Sequence, residues 1–138
     1  MNKIYKDPSS DEWFFPKEYY ILSETDYAGI ILYANDTFCE LAGYTKEELI
    51  GEPHNILRHT DMPRVAFQSL WDDVQKKGFW VGIVKNLRKD GGYYWVKATV
   101  LKKVDASGNI TYLSIRGLPT KEEIHNATEL YKKLKKQE

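Results

Sequence analysis

The chain has 138 residues, which fits one domain large enough to bury a core without disulfides or metals. Its 20 basic residues are balanced by 20 acidic residues, so no overall field draws it to nucleic acid or to an anionic membrane. Cys39 is the single cysteine, which excludes an internal disulfide and favours a reducing compartment. This lone thiol leads us to expect a cytoplasmic protein. No apolar run approaches the roughly 18 residues of a membrane span, so we expect any membrane association to come through a partner.

The N-terminal part of the chain is predicted to be an extension followed by a hairpin. Residues 1–18 show no regular hydrophobic period, but the aromatic run at 13–15 makes them an aromatic cap that docks on the domain or on a second copy. Residues 19–23 and 29–34 then have the composition of two strands joined by a short loop. This pattern predicts a β-hairpin.

Capping residues mark three helices in the middle of the chain. Asn35 supplies an N-cap side chain for a short helix that Gly43 ends, and Thr45 opens a second short helix with the spacing of a capping box. Pro63 suits the first turn of a longer helix, whose apolar residues recur at helical spacing until Gly78.

The second half of the chain changes to a hydrophobic period of two. This period predicts three consecutive strands over residues 79–87, 93–104 and 110–118, joined by tight turns. Residues 119–138 follow as a separate amphipathic C-terminal helix with a lysine-rich end. Two early and three late strands can form one five-stranded antiparallel sheet in residues 19–118, an α+β fold with short helices over one face and a pocket between the layers.

The segment 51–63 concentrates polar chemistry in a short bend. Arg58 offers a planar guanidinium suited to a phosphate or a carboxylate, and His59 is the side chain whose charge changes most readily near neutral pH. Such a bend, at the mouth of the predicted pocket, can hold an anionic ligand. The alternative stays open that Asp61 caps the next helix and that Arg58 forms an ordinary surface ion pair.

The order of these elements and five sequence blocks resemble the PAS sensory domains of the aerotaxis receptor subfamily. The blocks are ANDTF at 34–38, GEPHN at 51–55, RHTDMP at 58–63, WVGIVKN at 80–86 and YWV at 94–96. Members of that subfamily hold FAD non-covalently and report its redox state to a chemotaxis signalling domain. The resemblance therefore implies a PAS fold and an FAD-binding redox sensor for aerotaxis or energy taxis.

The resemblance also implies which residues form the flavin pocket. The family's positions fall on seven residues of this sequence, namely Arg58, His59 and Asp61 in the bend, Trp80 and Asn86 on the first late strand, and Asn35 and Phe67 on flanking helices. Leu87 departs from the family pattern, because a basic residue usually follows the asparagine, and this bears on the mouth of the pocket. The chain also ends soon after the terminal helix, so we expect the output on another polypeptide.

The chemistry of these residues suits a flavin. The isoalloxazine ring has a flat face and an edge of donors and acceptors, which Trp80 and Asn86 can match, and Arg58 suits the pyrophosphate. Oxidised and reduced flavin differ in protonation and charge, so their hydrogen bonds to Asn86 and His59 are expected to differ. Two purely structural alternatives stay open. Trp80 can be an ordinary core residue, and Asn35 can serve only as a helix cap.

Single residues bear on other functional classes. Light-sensing flavin domains carry a reactive cysteine, but Ile56 follows Asn55 where that cysteine would stand, and Cys39 lies on the apolar side of a helix. His59 could ligate haem, or bind a transition metal together with His54 and Asp61. A ligand-free interaction module is a third alternative. An enzyme is not expected, because no phosphate-binding glycine loop, nucleophile elbow or cysteine–base motif occurs.

Both ends of the chain carry apolar surface that can serve as an interface. The aromatic run at 13–15 and the apolar stripe of residues 124–134 are candidate interfaces, including for a homodimer. We expect the signalling partner to be a membrane-bound chemoreceptor-like protein on a separate chain. Neither nucleic acid binding nor direct membrane insertion is expected.

Overall fold

The computed structural model describes residues 3–138. Two very short strands precede a hairpin, three helices with a single turn of 3-10 helix between them, three long strands and a terminal helix. In chain order these are β1 (Tyr5–Lys6), β2 (Trp13–Phe14), β3 (Ile21–Asp26), β4 (Ile31–Ala34), α1 (Asp36–Ala42), α2 (Lys46–Leu49), the 3-10 helix (His54–Leu57), α3 (Arg64–Lys77), β5 (Phe79–Leu87), β6 (Tyr93–Val104), β7 (Ile110–Gly117) and α4 (Lys121–Lys136).

Five strands form one antiparallel sheet in the order β4-β3-β7-β6-β5. The early hairpin joins the three late strands through β3, which pairs with β7 from Ile21 opposite Arg116 to Asp26 opposite Thr111. The helices between β4 and β5 therefore connect the two edge strands of this open sheet and lie over one of its faces. This confirms the predicted α+β fold with a five-stranded antiparallel sheet and a C-terminal helix.

The helix ends are set by the capping residues that the sequence shows. The Asn35 side chain accepts a hydrogen bond from the Phe38 backbone N–H at 3.0 Å, and Gly43 ends α1 in the left-handed conformation with φ 78°. Thr45 and Thr120 each open a helix with a complete capping box, α2 and α4 respectively. These local interactions explain why the predicted helices closely match the observed ones.

The first hairpin differs from its predicted bounds. Residues 24–26 were predicted as loop, but they continue β3 because the ladder to β7 extends to Asp26. The turn that follows is held by the Asp26 carboxylate, which accepts from the backbone N–H groups of Ala28 and Ile30 at 2.9 and 3.0 Å. Long-range pairing with β7 therefore overrode the local loop signal.

The described part of the N-terminal extension packs onto the domain. Strands β1 and β2 form a small antiparallel pair, and Phe15 is 2% exposed in the common core. The backbone N–H of Tyr93 donates to the Asp11 carbonyl at 3.0 Å, and the guanidinium carbon of Arg88 lies 3.7 Å from the centroid of the Trp13 ring. The aromatic cap thus covers the turn between β5 and β6.

Helix α4 lies against the opposite face of the sheet from α3. Side chains alternate along β5 and β6, and Ile83 and Trp95 belong to the face that α4 contacts. The Tyr131 ring stacks with Trp95 at 6.5 Å between centroids, and its hydroxyl donates to the Ile83 carbonyl at 2.5 Å. Within residues 3–138, no helix is both long enough and apolar enough to cross a lipid bilayer.

Candidate functional site

A cavity of about 410 Å³ lies between the inner face of the sheet and the helices that follow α2. This volume falls in the range of about 300–1,000 Å³ that ligand pockets occupy. Its apolar wall comes from Leu57, Phe67, Leu70, Trp71, Val84, Val96, Ala98 and Val100. Its polar groups come from Thr25, His54, Asn55, Arg58, Gln75, Asn86, Tyr112, Ser114 and Arg116.

Arg58 and Phe67 form one wall of the cavity. The guanidinium carbon of Arg58 lies 4.1 Å from the centroid of the Phe67 ring, and the Arg58 backbone forms an antiparallel bridge with Asn86 on β5. In the described chain, no carboxylate forms an ion pair with Arg58. A cation held by an aromatic ring and free of a carboxylate is available to an anionic ligand.

Asn86 brings an amide group to the same cavity. It is 5% exposed, and Tyr94 lies directly opposite on β6. The Tyr94 hydroxyl is fully buried and lacks a hydrogen-bond partner of normal geometry among the described residues, and the buried Tyr112 hydroxyl, which lines the cavity, also lacks one. Of these two hydroxyls, only that of Tyr112 belongs to the cavity lining, where it is a hydrogen-bonding group that the described residues leave unused.

Arg116 on β7 is the most deeply buried cation of the site. It is 2% exposed, and its Nη2 donates to the Ser23 hydroxyl at 2.6 Å, while its Nη1 lies 3.4 Å from His54 Nε2. Its guanidinium carbon lies 4.4 Å from the centroid of the Phe38 ring. The Nε–H group has no partner in the part of the chain that the structure describes. Arg116 is thus a buried cation whose neighbours are neutral.

The titration of this cluster follows from its burial. Desolvation, together with the charge of Arg116, lowers the pKa of His54 from 6.5 to about 3, so the imidazole is neutral at physiological pH. Because His54 Nε2 faces a donor of Arg116, the imidazole proton belongs on Nδ1. Desolvation also lowers the pKa of Arg116 to about 10, which leaves it charged.

Arg116 and His54 were not among the predicted site residues. The sequence did carry a signal for Arg116, because Tyr112, Ser114 and Arg116 alternate along β7 and share its inner face. An arginine on a strand face that turns inward calls for a partner or a ligand. For His54 the bend was noticed, but only the fold shows that this residue points into the cavity.

His59 and Asp61 lie outside the lining of the cavity. His59 Nδ1 accepts from the Asp61 backbone N–H at 3.0 Å, and the His59 ring meets the edge of Tyr93. The Asp61 carboxylate accepts from Lys85 Nζ at 2.8 Å, and this bond holds its pKa below the usual range. Burial, followed by the charge of Lys85, lowers the pKa of His59.

Trp80 and Asn35 also lie outside the lining, whereas Arg58, Phe67 and Asn86 belong to it. Trp80 is 8% exposed and its indole covers Gly82 on the same strand. The Asn35 amide is engaged by backbone, since it accepts from Leu22 N–H at 3.1 Å and donates to the Tyr20 carbonyl at 3.0 Å. Both residues therefore have a structural role in the protein as described.

Metal ligation has little support in the described residues. They contain no group of three or more His, Cys, Asp or Glu side chains placed to hold a metal ion. One ring nitrogen of each of the two candidate histidines is engaged, because His54 Nε2 faces Arg116 and His59 Nδ1 accepts a backbone hydrogen bond. An uncharged nitrogen beside a buried cation is a poor ligand for a second cation.

Comparison with known sequences gives both a family and relatives. A sequence profile of the PAS fold matches residues 31–116. The aerotaxis receptor of Escherichia coli (strain K12) is 46% identical over 114 residues, which is 83% of this chain and 22% of the receptor. A nitrogen fixation regulatory protein of Klebsiella oxytoca is 30% identical over 66% of this chain and 18% of that protein. The chain thus spans about a fifth of the length of these relatives.

Solved structures agree with this assignment. The PAS domain of a protein from Colwellia psychrerythraea superimposes with a TM-score of 0.66 at 27% identity, covering 74% of this chain and 87% of that one. The dark structure of the aureochrome1 LOV photoreceptor gives a TM-score of 0.67 at 22% identity, covering 80% of each chain, and supports the fold alone. The chain therefore belongs to the PAS family, and within that family its sequence is of the aerotaxis receptor type.

Proposed function

We propose that the cavity binds FAD non-covalently and that the domain is a sensor of redox or oxygen state. The observation that carries this proposal is the set of unused hydrogen-bonding groups in an apolar cavity, above all the Arg116 Nε–H and the Tyr112 hydroxyl. Buried groups of this kind cost free energy unless a ligand or water satisfies them. The similarity to the aerotaxis receptor also supports this proposal.

The residues that line the cavity suit both the isoalloxazine ring and the phosphates of FAD. A flat ring fits between the aromatic wall of Phe67 and Trp71 and the aliphatic inner face of the sheet, and Asn86 and Arg116 offer one amide and one cation to its polar edge. Arg58, stacked on Phe67, is placed to receive the phosphates. When bound, the flavin supplies a reversible change of electron and proton content.

The protein's own residues can convert that change into a conformational signal. The Asn86 amide can both donate and accept, and Arg116 favours a negatively charged ligand over a neutral one. Both residues lie on strands of the sheet, β5 and β7, which β6 joins. A tenfold shift between two conformations needs about 1.4 kcal/mol of differential binding, which one or two altered hydrogen bonds can supply.

The likeness to the aerotaxis receptor supports a proposal for the biological role. We place the protein in the cytoplasm as a sensor without catalytic turnover, which signals to a chemoreceptor-like protein of aerotaxis or energy taxis. Four of the pocket residues that the resemblance implies lie outside the cavity, namely His59, Asp61, Trp80 and Asn35. In this proposal they shape the bend and the core or contact the part of FAD that extends beyond the cavity.

The first test is an absorption spectrum of the purified protein, with identification of the released cofactor. We expect the yellow, three-band spectrum of a flavin and release of FAD. If the protein is colourless, titration with FAD replaces the first readout, because a loosely held cofactor can be lost. An intense Soret band would support the haem alternative instead, and absence of binding of either ligand would overturn the proposal.

The second test places FAD in this cavity. Asn86→Ala and Arg58→Gln should each weaken FAD binding at least tenfold in a fluorescence titration, because each removes a group on the cavity wall. Lys76→Gln is the matched control, since it removes an exposed charge near the far end of α3. Equal affinity of all four proteins would exclude this cavity as the binding site.

A further inference from the structure

A second cavity, of about 340 Å³, lies between α4 and the outer face of the sheet. Strand β5 is the edge strand of the sheet, so this cavity and the first one lie on its two sides. The bend after the 3-10 helix covers that edge, where the Lys85 backbone N–H donates to the Met62 sulfur at 3.4 Å. The bend therefore borders both cavities, with Arg58 on the first and Asp61 on the second.

The second cavity has a strong excess of positive charge. Lys85, Lys132, Lys135 and Lys136 line it, and Asp61 is the one acidic residue in its lining. Lys85 pairs with Asp61 at 2.8 Å and Lys135 with Glu138 at 3.4 Å, whereas the described residues provide no ion pair for Lys132 or Lys136. This local excess contrasts with the zero net charge of the whole chain.

The floor of the cavity is aromatic. Trp95 is 7% exposed and stacks with Tyr131 at an interplanar angle of 14°. The buried thioether of Met62 adds to this wall. Ammonium groups above flat aromatic side chains are suited to a ligand that combines phosphates with a heterocyclic base.

A plainer explanation exists for part of this charge. Lysines at the C-terminal end of a helix are favoured by the helix dipole, which accounts for Lys132, Lys135 and Lys136 on α4. The dipole does not account for Lys85, which comes from a strand, or for the cavity that these four side chains surround. Their convergence from two elements on one cavity is what points to a ligand.

We propose that this second cavity binds a nucleoside diphosphate. The ligand is either the adenosine diphosphate half of FAD or a free nucleotide. In the first case FAD would pass over the bend from the first cavity, and Arg58 and the lysines of the second cavity would share its two phosphates. Only the first source rests on the proposed function. The shared chemistry is a pair of phosphates held by lysines beside an aromatic wall.

The test measures binding of ADP to the flavin-free 138-residue chain by isothermal titration calorimetry. The variant Lys132→Gln/Lys136→Gln should weaken ADP binding at least tenfold and reduce its dependence on salt, because two phosphate partners are removed. Lys121→Gln/Lys133→Gln is the matched control, since it removes the same charge from the same helix outside the lining. Exposed lysines rarely affect folding, and thermal unfolding of each variant verifies this.

Titrations with FAD and riboflavin separate the two sources. If the site holds the adenosine diphosphate half of FAD, Lys132→Gln/Lys136→Gln weakens FAD but not riboflavin, and FAD-loaded protein no longer binds ADP. If the site takes a free nucleotide, flavin binding is unaffected and FAD-loaded protein still binds ADP. Binding of ADP without binding of any flavin would support this inference and overturn the proposed function. Unchanged affinity for both ADP and FAD in Lys132→Gln/Lys136→Gln would overturn the inference.

Discussion

The Arg116 guanidinium is buried among neutral groups, an arrangement that costs free energy when no anion is present. Ser23, His54 and the Phe38 ring recover part of that cost. Residues that are retained despite such a cost often serve binding, and their removal stabilises the protein while it weakens function. This trade-off separates a binding role for Arg116 from a purely structural one.

We predict that Arg116→Met weakens FAD binding at least tenfold and leaves the melting temperature of the flavin-free protein unchanged or higher. The methionine fills similar space without a buried charge. Differential scanning calorimetry measures the melting temperature, and a flavin titration measures the affinity for FAD. A large fall in melting temperature with unchanged FAD affinity would show that Arg116 is only a core residue.

His54 should make stability sensitive to acid. Its pKa is lowered from 6.5 to about 3 in the folded protein, so below pH 6.5 the unfolded chain binds a proton that the folded chain does not. Stability attributable to His54 is therefore constant above pH 6.5 and falls as the pH drops toward 3, by up to about 1.4 kcal/mol per pH unit. Urea unfolding at several pH values between 6.5 and 4 measures this effect. The free energy of unfolding should fall less steeply with decreasing pH in His54→Phe than in the wild type.

Gly82 is required by the packing of Trp80. A Cβ at position 82 would overlap the six-membered ring of the Trp80 indole. Gly82→Ala should therefore lower the free energy of unfolding by about 1–3 kcal/mol. In the Trp80→Leu background the same substitution should cost much less, and urea unfolding of the four proteins of this double-mutant cycle measures the coupling. Additive effects would contradict the packing argument.

Secondary-structure elements are joined in this fold by a few buried polar contacts, of which Arg88 makes several. Its side chain is 8% exposed, donates to the carbonyls of Glu40 and Leu41 at the end of α1, and pairs with Asp90 at 3.2 Å. The Trp13 ring on β2 of the N-terminal extension covers the same guanidinium. Arg88 thus ties the extension, α1 and the β5–β6 turn together.

We predict that Arg88→Lys lowers the free energy of unfolding by about 2–3 kcal/mol, because an ammonium cannot reproduce the fork of donors. Hydrogen exchange should become faster at the end of α1 and in β2. Lys89→Gln is the control, since Lys89 is half exposed and its pairing with Glu48 contributes about 1 kcal/mol or less. Equal losses in the two variants would contradict this account.

The sheet connects the two cavities and α4, so a change at the ligand can extend through the molecule. Asn86 and Lys85 are adjacent on β5 and face the first and second cavities, respectively. The Tyr131 hydroxyl of α4 donates a hydrogen bond to the carbonyl of Ile83, which also lies on β5. The edge strand is therefore the element through which a signal can reach the terminal helix.

We predict that hydrogen exchange of FAD-loaded protein differs between the oxidised and dithionite-reduced states across β5–β7, residues 79–117. The same comparison with Asn86→Ala should show a smaller difference, because the amide that exchanges donor and acceptor roles is absent. Flavin-free protein treated with dithionite is the control. Identical exchange in the two redox states would remove the proposed signalling mechanism.

Local sequence was sufficient to predict most elements of this protein. Helix caps and strand alternation are determined by neighbours within a few residues, so the helices and the late strands were predicted nearly to their ends. The features concerned are the capping boxes at Thr45 and Thr120, the caps at Asn35 and Gly43, and the alternation after Gly78. The five-stranded antiparallel architecture also followed, because each strand leaves one apolar face to cover. Of the predicted pocket residues, Arg58, Phe67 and Asn86 do line the cavity.

Only the tertiary structure decided which strands are neighbours and which side chains meet. The ladder between β3 and β7 extended the first strand through residues predicted as loop, and it brought Arg116 to Ser23 and to His54. The two cavities likewise depend on which face of β5 turns inward, since a shift of one residue exchanges Lys85 and Asn86. Such pairings are determined by burial summed over the whole sheet, which no short stretch of sequence contains.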